Sequence, residues 1–272
     1  MAHSITDVEK FWNENPLFTG EEEFSKERSQ QFFEKHDAAY YDDVFAGVNY
    51  REQFYLPQSD DKALDLGCGI GFWSSMFATQ CQVKDLTSGD LSTNSLEICK
   101  LRVPSTNAVK VNAEKIDFPD ETFDFVNCQG VIHHTPDTQS CANEIYRVLK
   151  TGGRASVSVY YDNVLLKMAS LALPVVNFAS GLFLKDKGRG RAFHKATSKE
   201  DIVRLYDGAD NPIGKSYTRK EFEEMLKTAG FQEIEIGYFF FPFRFLRIKI
   251  PNVLRTVLVK MFPFMIVANL KK

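Results

Sequence analysis

The stretch Ala63-Leu64-Asp65-Leu66-Gly67-Cys68-Gly69-Ile70-Gly71 decides the fold. Its first four residues read as a buried strand, and three alternating glycines follow. Phe72-Trp73-Ser74-Ser75-Met76-Phe77-Ala78 then carries apolar residues at helical spacing. Glycine suits a tight strand-to-helix turn because it admits unusual backbone angles and lets a ligand approach the main chain. A dinucleotide fingerprint, G-x-G-x-x-G, needs a third glycine at position 72, which is Phe72 here. A pyrophosphate-bearing cofactor is therefore disfavoured. Nineteen residues past Gly71, Asp90 closes a second expected strand, Lys84 to Gly89. A carboxylate there has lone pairs for both hydroxyls of a ribose. Asp90 or Ser92 also suits the N-cap of a helix from Thr93 to Arg102, and the two roles are compatible.

With 272 residues the chain can bury a full core. Its 44% hydrophobic and 25% charged residues are globular values. A net charge of −3 and a pI near 6.0 offer no general attraction to nucleic acid. The five cysteines (Cys68, Cys81, Cys99, Cys128, Cys141) form no C-x-x-C pair and read as reduced and mostly packed. The N-terminus lacks the basic and apolar regions of a signal peptide, so the expected location is cytoplasmic. Many of the 24 phenylalanines lie toward the two ends, where a cap or a substrate pocket would be built.

Thr6 to Asn15 reads as a helix opened by a Thr6–Glu9 capping box and stopped by Pro16. A second helix is expected from Ser25 to about Tyr41. Tyr40, Tyr41, Phe45 and Tyr50 follow as packing residues or as a lid over the sheet. Strands at Ala63–Leu66, Lys84–Gly89, Ala108–Val111, Phe123–Cys128 and Arg154–Tyr160 alternate with helices, which implies a parallel sheet with ligands at its carboxyl ends. A helix from Thr218, capped by Glu221 and stopped at Gly230, precedes the strands Phe231–Phe240 and Phe264–Leu270. Between them, Met168 to Leu184 runs 17 residues without a charge, followed by the basic run Lys185 to Lys199. A membrane span there would split one sheet across a bilayer. A lid over an apolar substrate is expected instead, with weak contact to an anionic membrane surface as the lesser alternative.

The third strand ends in Val111-Asn112-Ala113-Glu114 and the fourth in Cys128-Gln129-Gly130-Val131-Ile132-His133-His134-Thr135-Pro136-Asp137. Together with LDLGCGIG and GDLS, these resemble the successive motifs of class I S-adenosylmethionine (SAM)-dependent methyltransferases. The run from Glu144 to Gly153 is similar to the type-11 branch of small-molecule enzymes, which includes quinone-methylating ones. Phe11 to Pro16 and Asn211 to Tyr217 resemble pieces of one bacterial subgroup. By that resemblance Gly67, Cys68 and Gly69 approach the methionyl part of SAM, Asp90 holds the ribose, and Leu91 lies against the adenine. Ala113 would offer its amide to the adenine beside Asn112, which replaces the family's usual aspartate. The backbone carbonyl of Gln129 would receive the ammonium, and Asp65 and Glu114 complete the implied cofactor set. No metal is implied.

His133 and His134 follow the fourth strand beside the expected methyl group. Either imidazole can take a proton from a phenol, hydroxyl or ammonium, with His133 slightly ahead. Tyr160, Tyr161 and Tyr217 are candidates for the acceptor pocket. The expected architecture is a Rossmann-like α/β fold with a seven-stranded sheet whose last strand is antiparallel. An N-terminal helical cap (1–56), a SAM-binding core (57–162), an inserted lid (163–215) and the C-terminal part of the sheet (216–272) would divide the chain. The expected reaction is SAM-dependent methylation of O, N or C on a small, partly apolar molecule. A nicotinamide-dependent oxidoreductase is disfavoured by Phe72. A nucleic-acid methyltransferase is disfavoured by charge and by Gln129-Gly130-Val131-Ile132, where base-amine chemistry wants Asn/Asp-Pro-Pro-Tyr. A non-catalytic SAM-binding or peripheral membrane protein is the remaining alternative. Oligomeric state is not legible.

Overall fold

Strand β1 (Lys62–Leu66) is buried on both faces, and its residues alternate between two cores. Ala63 packs with Phe77 and Phe125 on one face, while Leu64 and Leu66 join Val126, Cys128 and Ile145 on the other. The computed structural model describes residues 3–16, 29–46, 48–171, 178, 196–208, 210–243 and 250–272. Around β1 stand β2 (Asp85–Asp90), β3 (Asn107–Lys110), β4 (Phe123–Gln129), β5 (Leu149–Tyr161), β7 (Glu233–Phe239) and β8 (Met265–Lys271), in the order β3-β2-β1-β4-β5-β8-β7. The first five run parallel, and β8 runs antiparallel to both β5 and β7. Sequence reasoning expects seven strands. The structure adds an eighth, the two-residue β6 (Ser216–Tyr217), which pairs with the end of β5.

The helices are α1 (Ile5–Glu14), α2 (Gln30–Asp43), α3 (Tyr50–Gln53), α4 (Phe72–Thr79), α5 (Thr93–Arg102), α6 (Thr138–Val148), α7 (Val164–Leu171), α8 (Lys199–Asp207), α9 (Arg219–Ala229) and α10 (Asn252–Met261). A 3₁₀ turn spans Ile132–His134. The capping box of α1 is Ser4–Asp7 rather than Thr6–Glu9, because the N-cap lies two residues earlier, at Ser4. Ser92, not Asp90, caps α5 by accepting from Ser95 N. The box Thr218–Glu221 and the Gly230 stop of α9 stand as read. Helix α2 is capped by Ser29, and the expected start at Ser25 lies outside the described residues.

The N-terminal helices close over the sheet's carboxyl edge. Asn13 Oδ1 accepts from Asn94 N at 3.0 Å, which pins α1 to the start of α5. Tyr40 of α2 stacks on Phe72 at 3.8 Å between ring centroids. Of the expected lid, residues 172–177, 179–195 and 209 lie outside the described residues, which takes in most of Met168 to Leu184 and all of Lys185 to Lys195. No helix of the described residues is long and apolar enough to cross a membrane. All five cysteines are free, and only Cys81 is not fully buried.

Candidate active site

Strand order reverses between β1 and β4, and at the carboxyl ends there a cavity of about 250 Å³ opens. The ends of β1, β2, β3 and β4 supply one half of its wall through Gly67, Cys68, Gly69, Asp90, Leu91, Asn112, Ala113 and Gln129. The ends of β5, β7 and β8 supply the other half through Tyr160, Phe239 and Met265, roofed by Trp12, Tyr40 and Trp73.

The glycine turn is shaped by close approach. Gly67 has φ +74° and donates its N–H to Gly89 O at 2.7 Å; an added Cβ would meet Val131 Cγ2 at 2.2 Å. Gly69, at φ +51°, would meet nothing within 4 Å, so its backbone borders open space. Asp90 ties the turn down. Its Oδ2 accepts from Gly69 N and its Oδ1 from Ser92 N, both at 2.8 Å. Burial pushes this carboxyl up from its usual value, against those two amides, which pull it down. Each oxygen keeps lone-pair capacity for another donor.

Asn112 uses its side-chain oxygen to accept from Glu114 N at 3.0 Å, and the Ala113 amide finds no acceptor among the described residues. Gln129 donates through Nε2 to Ser156 O at 2.9 Å, and its buried Oε1 has no partner among the described residues. Two members of the expected cofactor set lie elsewhere. Glu114 turns to the start of α6, where Oε1 accepts from Asp137 N at 2.6 Å. Asp65 is buried beneath the turn, bound by Ser74 Oγ at 2.6 Å and Asn127 Nδ2 at 2.8 Å, and burial raises its pKa to about 6.

The two histidines part company. His133 is fully buried behind Tyr160, 4.2 Å between ring centroids, off the cavity wall, and burial holds its pKa well below the usual value. His134 lies on the wall. Its Nδ1 is 2.7 Å from the Ile213 carbonyl, which only accepts, so Nδ1 carries a hydrogen. Its Nε2 faces Asp207 Oδ2 at 3.2 Å, an oxygen that already accepts from Tyr160 Oη at 2.7 Å. His134, Asp207 and Tyr160 thus form one buried array at the seam of the cavity. Tyr161 and Tyr217 leave the pocket: Tyr161 packs on Tyr238, and Tyr217 donates to Thr138 Oγ1 at 2.8 Å.

Sequence reasoning missed Asp207, Trp12, Trp73 and Met265. Asp207 sits at the end of α8 with only Gly208 after it, a pattern that reads as an ordinary helix end. Trp12 and Met265 are 253 positions apart and meet only through the fold.

Residues 64–157 match the model of a methyltransferase domain family. The demethylmenaquinone methyltransferase of Geobacillus sp. (strain WCH70) is 30% identical over 190 residues, which cover 68% of this chain and 76% of that protein. The chain belongs to the class I SAM-dependent methyltransferases. The enzyme of the same name from Staphylococcus aureus (strain JH9) is 31% identical over 184 residues, 65% of this chain and 70% of its own. In fold, this methyltransferase is similar to a SAM-dependent methyltransferase from Thermotoga maritima, with TM-score 0.55 at 16% identity over 89% of this chain and 97% of that one. One from Mesorhizobium loti aligns with TM-score 0.53 at 16% identity, over 80% and 94% of the two chains.

The cradle fits SAM on its own terms. Open space at Gly69, the spare lone pairs of Asp90, and the Gln129 Oε1 and Ala113 amide, which have no partner among the described residues, are what a sulfonium amino acid joined to an adenosine requires. Asp90 would hold the ribose, Ala113 and Asn112 the adenine, and Gln129 the ammonium. When bound, SAM supplies a methyl group activated by its sulfonium. The chain contributes orientation and exclusion of water, through walls that α1 and α2 close from above.

Proposed function

We propose that this methyltransferase methylates an oxygen or carbon of a small, largely apolar ring compound that carries an acidic hydroxyl. The observation that carries this reading is the make-up of the cavity half away from the glycine turn. Its wall is Trp12, Tyr40, Trp73, Phe239, Phe240 and Met265, and the buried Trp73 indole N–H has no acceptor among the described residues. That N–H suits an oxygen atom on the ligand, since leaving it unmet costs about 1–3 kcal/mol. The polar group at the seam is the His134–Asp207–Tyr160 array. An imidazole with Nδ1 held by the Ile213 carbonyl and Nε2 beside a carboxylate suits an acceptor hydroxyl acidic enough to ionise readily. In this reading His134 faces the reacting atoms, His133 supports it from behind, and Tyr160 orients the acceptor. The relatives' names make demethylmenaquinone, in its reduced hydroxylated form, the first acceptor to try.

The test is S-adenosylhomocysteine release with a panel: a hydroxylated ring compound, a primary amine of similar size, and transfer RNA. Turnover is expected with the first. Trp73→Phe is expected to raise KM for it about tenfold with little change in kcat, the loss of one hydrogen bond to substrate. Turnover of the amine or the RNA, with none on the hydroxylated ring, would overturn the reading.

A further inference from the structure

Among the described residues, nine large apolar side chains are exposed, and seven of them lie on just two helices. On α10 they are Val253 (81% exposed), Leu254, Val257 and Met261 (60%); on α7 they are Val164, Leu165 and Met168. Each set falls on one helical face, at i, i+1 and i+4. The opposite face of α10 does the packing: Val259 joins the cluster of Ala46 and Phe243, and Arg255 donates to Asp42 Oδ1 at 2.8 Å. The start of α7 and the end of α10 are tied together at the sheet's carboxyl edge, where Asn163 Nδ2, just before α7, donates to Pro263 O, just after α10, at 2.6 Å. That edge borders the cavity, since α7 follows Tyr160 closely and α10 precedes Met265, both wall residues.

Charge selects what the stripe would touch. Helices α7 and α10 carry Lys167, Arg255 and Lys260 and no Asp or Glu, in a chain whose net charge is −3. Lys260 stands exposed beside the stripe on α10, and Lys167 beside that on α7. A second copy docked face to face on these stripes would set lysines against each other. An anionic surface meets both the apolar stripes and their lysines.

We propose that the exposed faces of α10 and α7 form a docking surface for an anionic phospholipid bilayer, which sets the apolar half of the cavity toward the membrane. This holds whatever the acceptor is, because docking needs no turnover.

The experiment is co-sedimentation of the whole protein with vesicles of phosphatidylcholine, with and without phosphatidylglycerol. It compares wild type, Val257→Glu with Met261→Glu, and the control Leu101→Glu, whose exposed side chain lies on α5. Wild type and the control are expected to bind the anionic vesicles at about 0.1 M salt and to be released at about 1 M. The double variant is expected to bind roughly tenfold or more weakly, with S-adenosylhomocysteine affinity unchanged in all three. Equal binding to neutral vesicles, undiminished binding by the double variant, or a wild-type dimer that the double variant dissolves would each overturn the proposal.

Discussion

Asp207→Asn tests the array at the seam of the cavity. The two side chains of the pair are nearly inaccessible, 5% for His134 and 1% for Asp207, so solvent cannot replace a lost partner. One oxygen, Oδ2, serves both Tyr160 and His134. An asparagine can present oxygen or NH₂ at that point, but not both. With oxygen there, Tyr160 keeps its acceptor and the charge beside His134 is gone. With NH₂ there, the His134 ring gains a donor and Tyr160 loses its acceptor. Either way one buried contact goes, at about 1–3 kcal/mol. Urea unfolding of wild type, Asp207→Asn, Tyr160→Phe and the double variant measures it. The double variant is expected to lose less than the sum of the singles, by at least about 0.5 kcal/mol, because they share the Tyr160–Asp207 bond. An Asp207→Asn protein within about 0.5 kcal/mol of wild type would refute the buried array.

Two other substitutions separate cofactor binding from support. Asp90→Asn keeps an acceptor for Gly69 N but loses the charge, and calorimetry with S-adenosylhomocysteine is expected to show binding weaker by about 1.5–3 kcal/mol; unchanged affinity would reduce Asp90 to a turn anchor. Asp65 has a pKa of about 6 when folded, against the ordinary aspartate value of 3.8, so its contribution to stability is complete below about pH 4 and is lost as pH rises toward 6. Asp65→Asn lacks that loss, and its stability relative to wild type is expected to improve by up to about 3 kcal/mol between pH 4 and 7, read by urea unfolding at each pH; a pH-independent difference would mean that Asp65 titrates as an ordinary carboxyl.

The cofactor half was legible because its parts are local. Each comes at a strand end, and the Gly67–Gly71 turn, Asp90, Asn112–Ala113 and Gln129 need only the βαβ repeat to bring them together. The acceptor half is assembled across the chain. Tyr160, at the end of β5, is readable as a wall residue, but Trp12 comes from α1, Asp207 from α8 and Met265 from β8, and no spacing in the sequence announces those three. The histidine pair shows the limit most plainly. Neighbours in a 3₁₀ turn point in different directions, and which one meets the cavity depends on Ile213 and Asp207, some 75 residues later. The eighth strand escaped for a different reason: two residues are too few to show a period.

Asp65 and Asp90 divide between them the work expected of both. β1 alternates faces, so the position one residue before Leu66 must point toward α4, beneath the glycine turn and away from the ligand. There Asp65 joins Ser74 of α4 to Asn127 of β4, and Asn127 Oδ1 accepts in turn from Gln129 Nε2 at 3.1 Å. Gln129 is thereby held by its donor end, while its buried Oε1 has no partner among the described residues. Asp90 ends β2 where the strand emerges, so its lone pairs reach the turn and the cavity together. A carboxylate buried with two donors orders the floor, and one at the strand end meets the ligand. The acid that matters for support is therefore the one whose removal changes the pH dependence of folding, and the acid that matters for SAM is the one whose removal changes affinity.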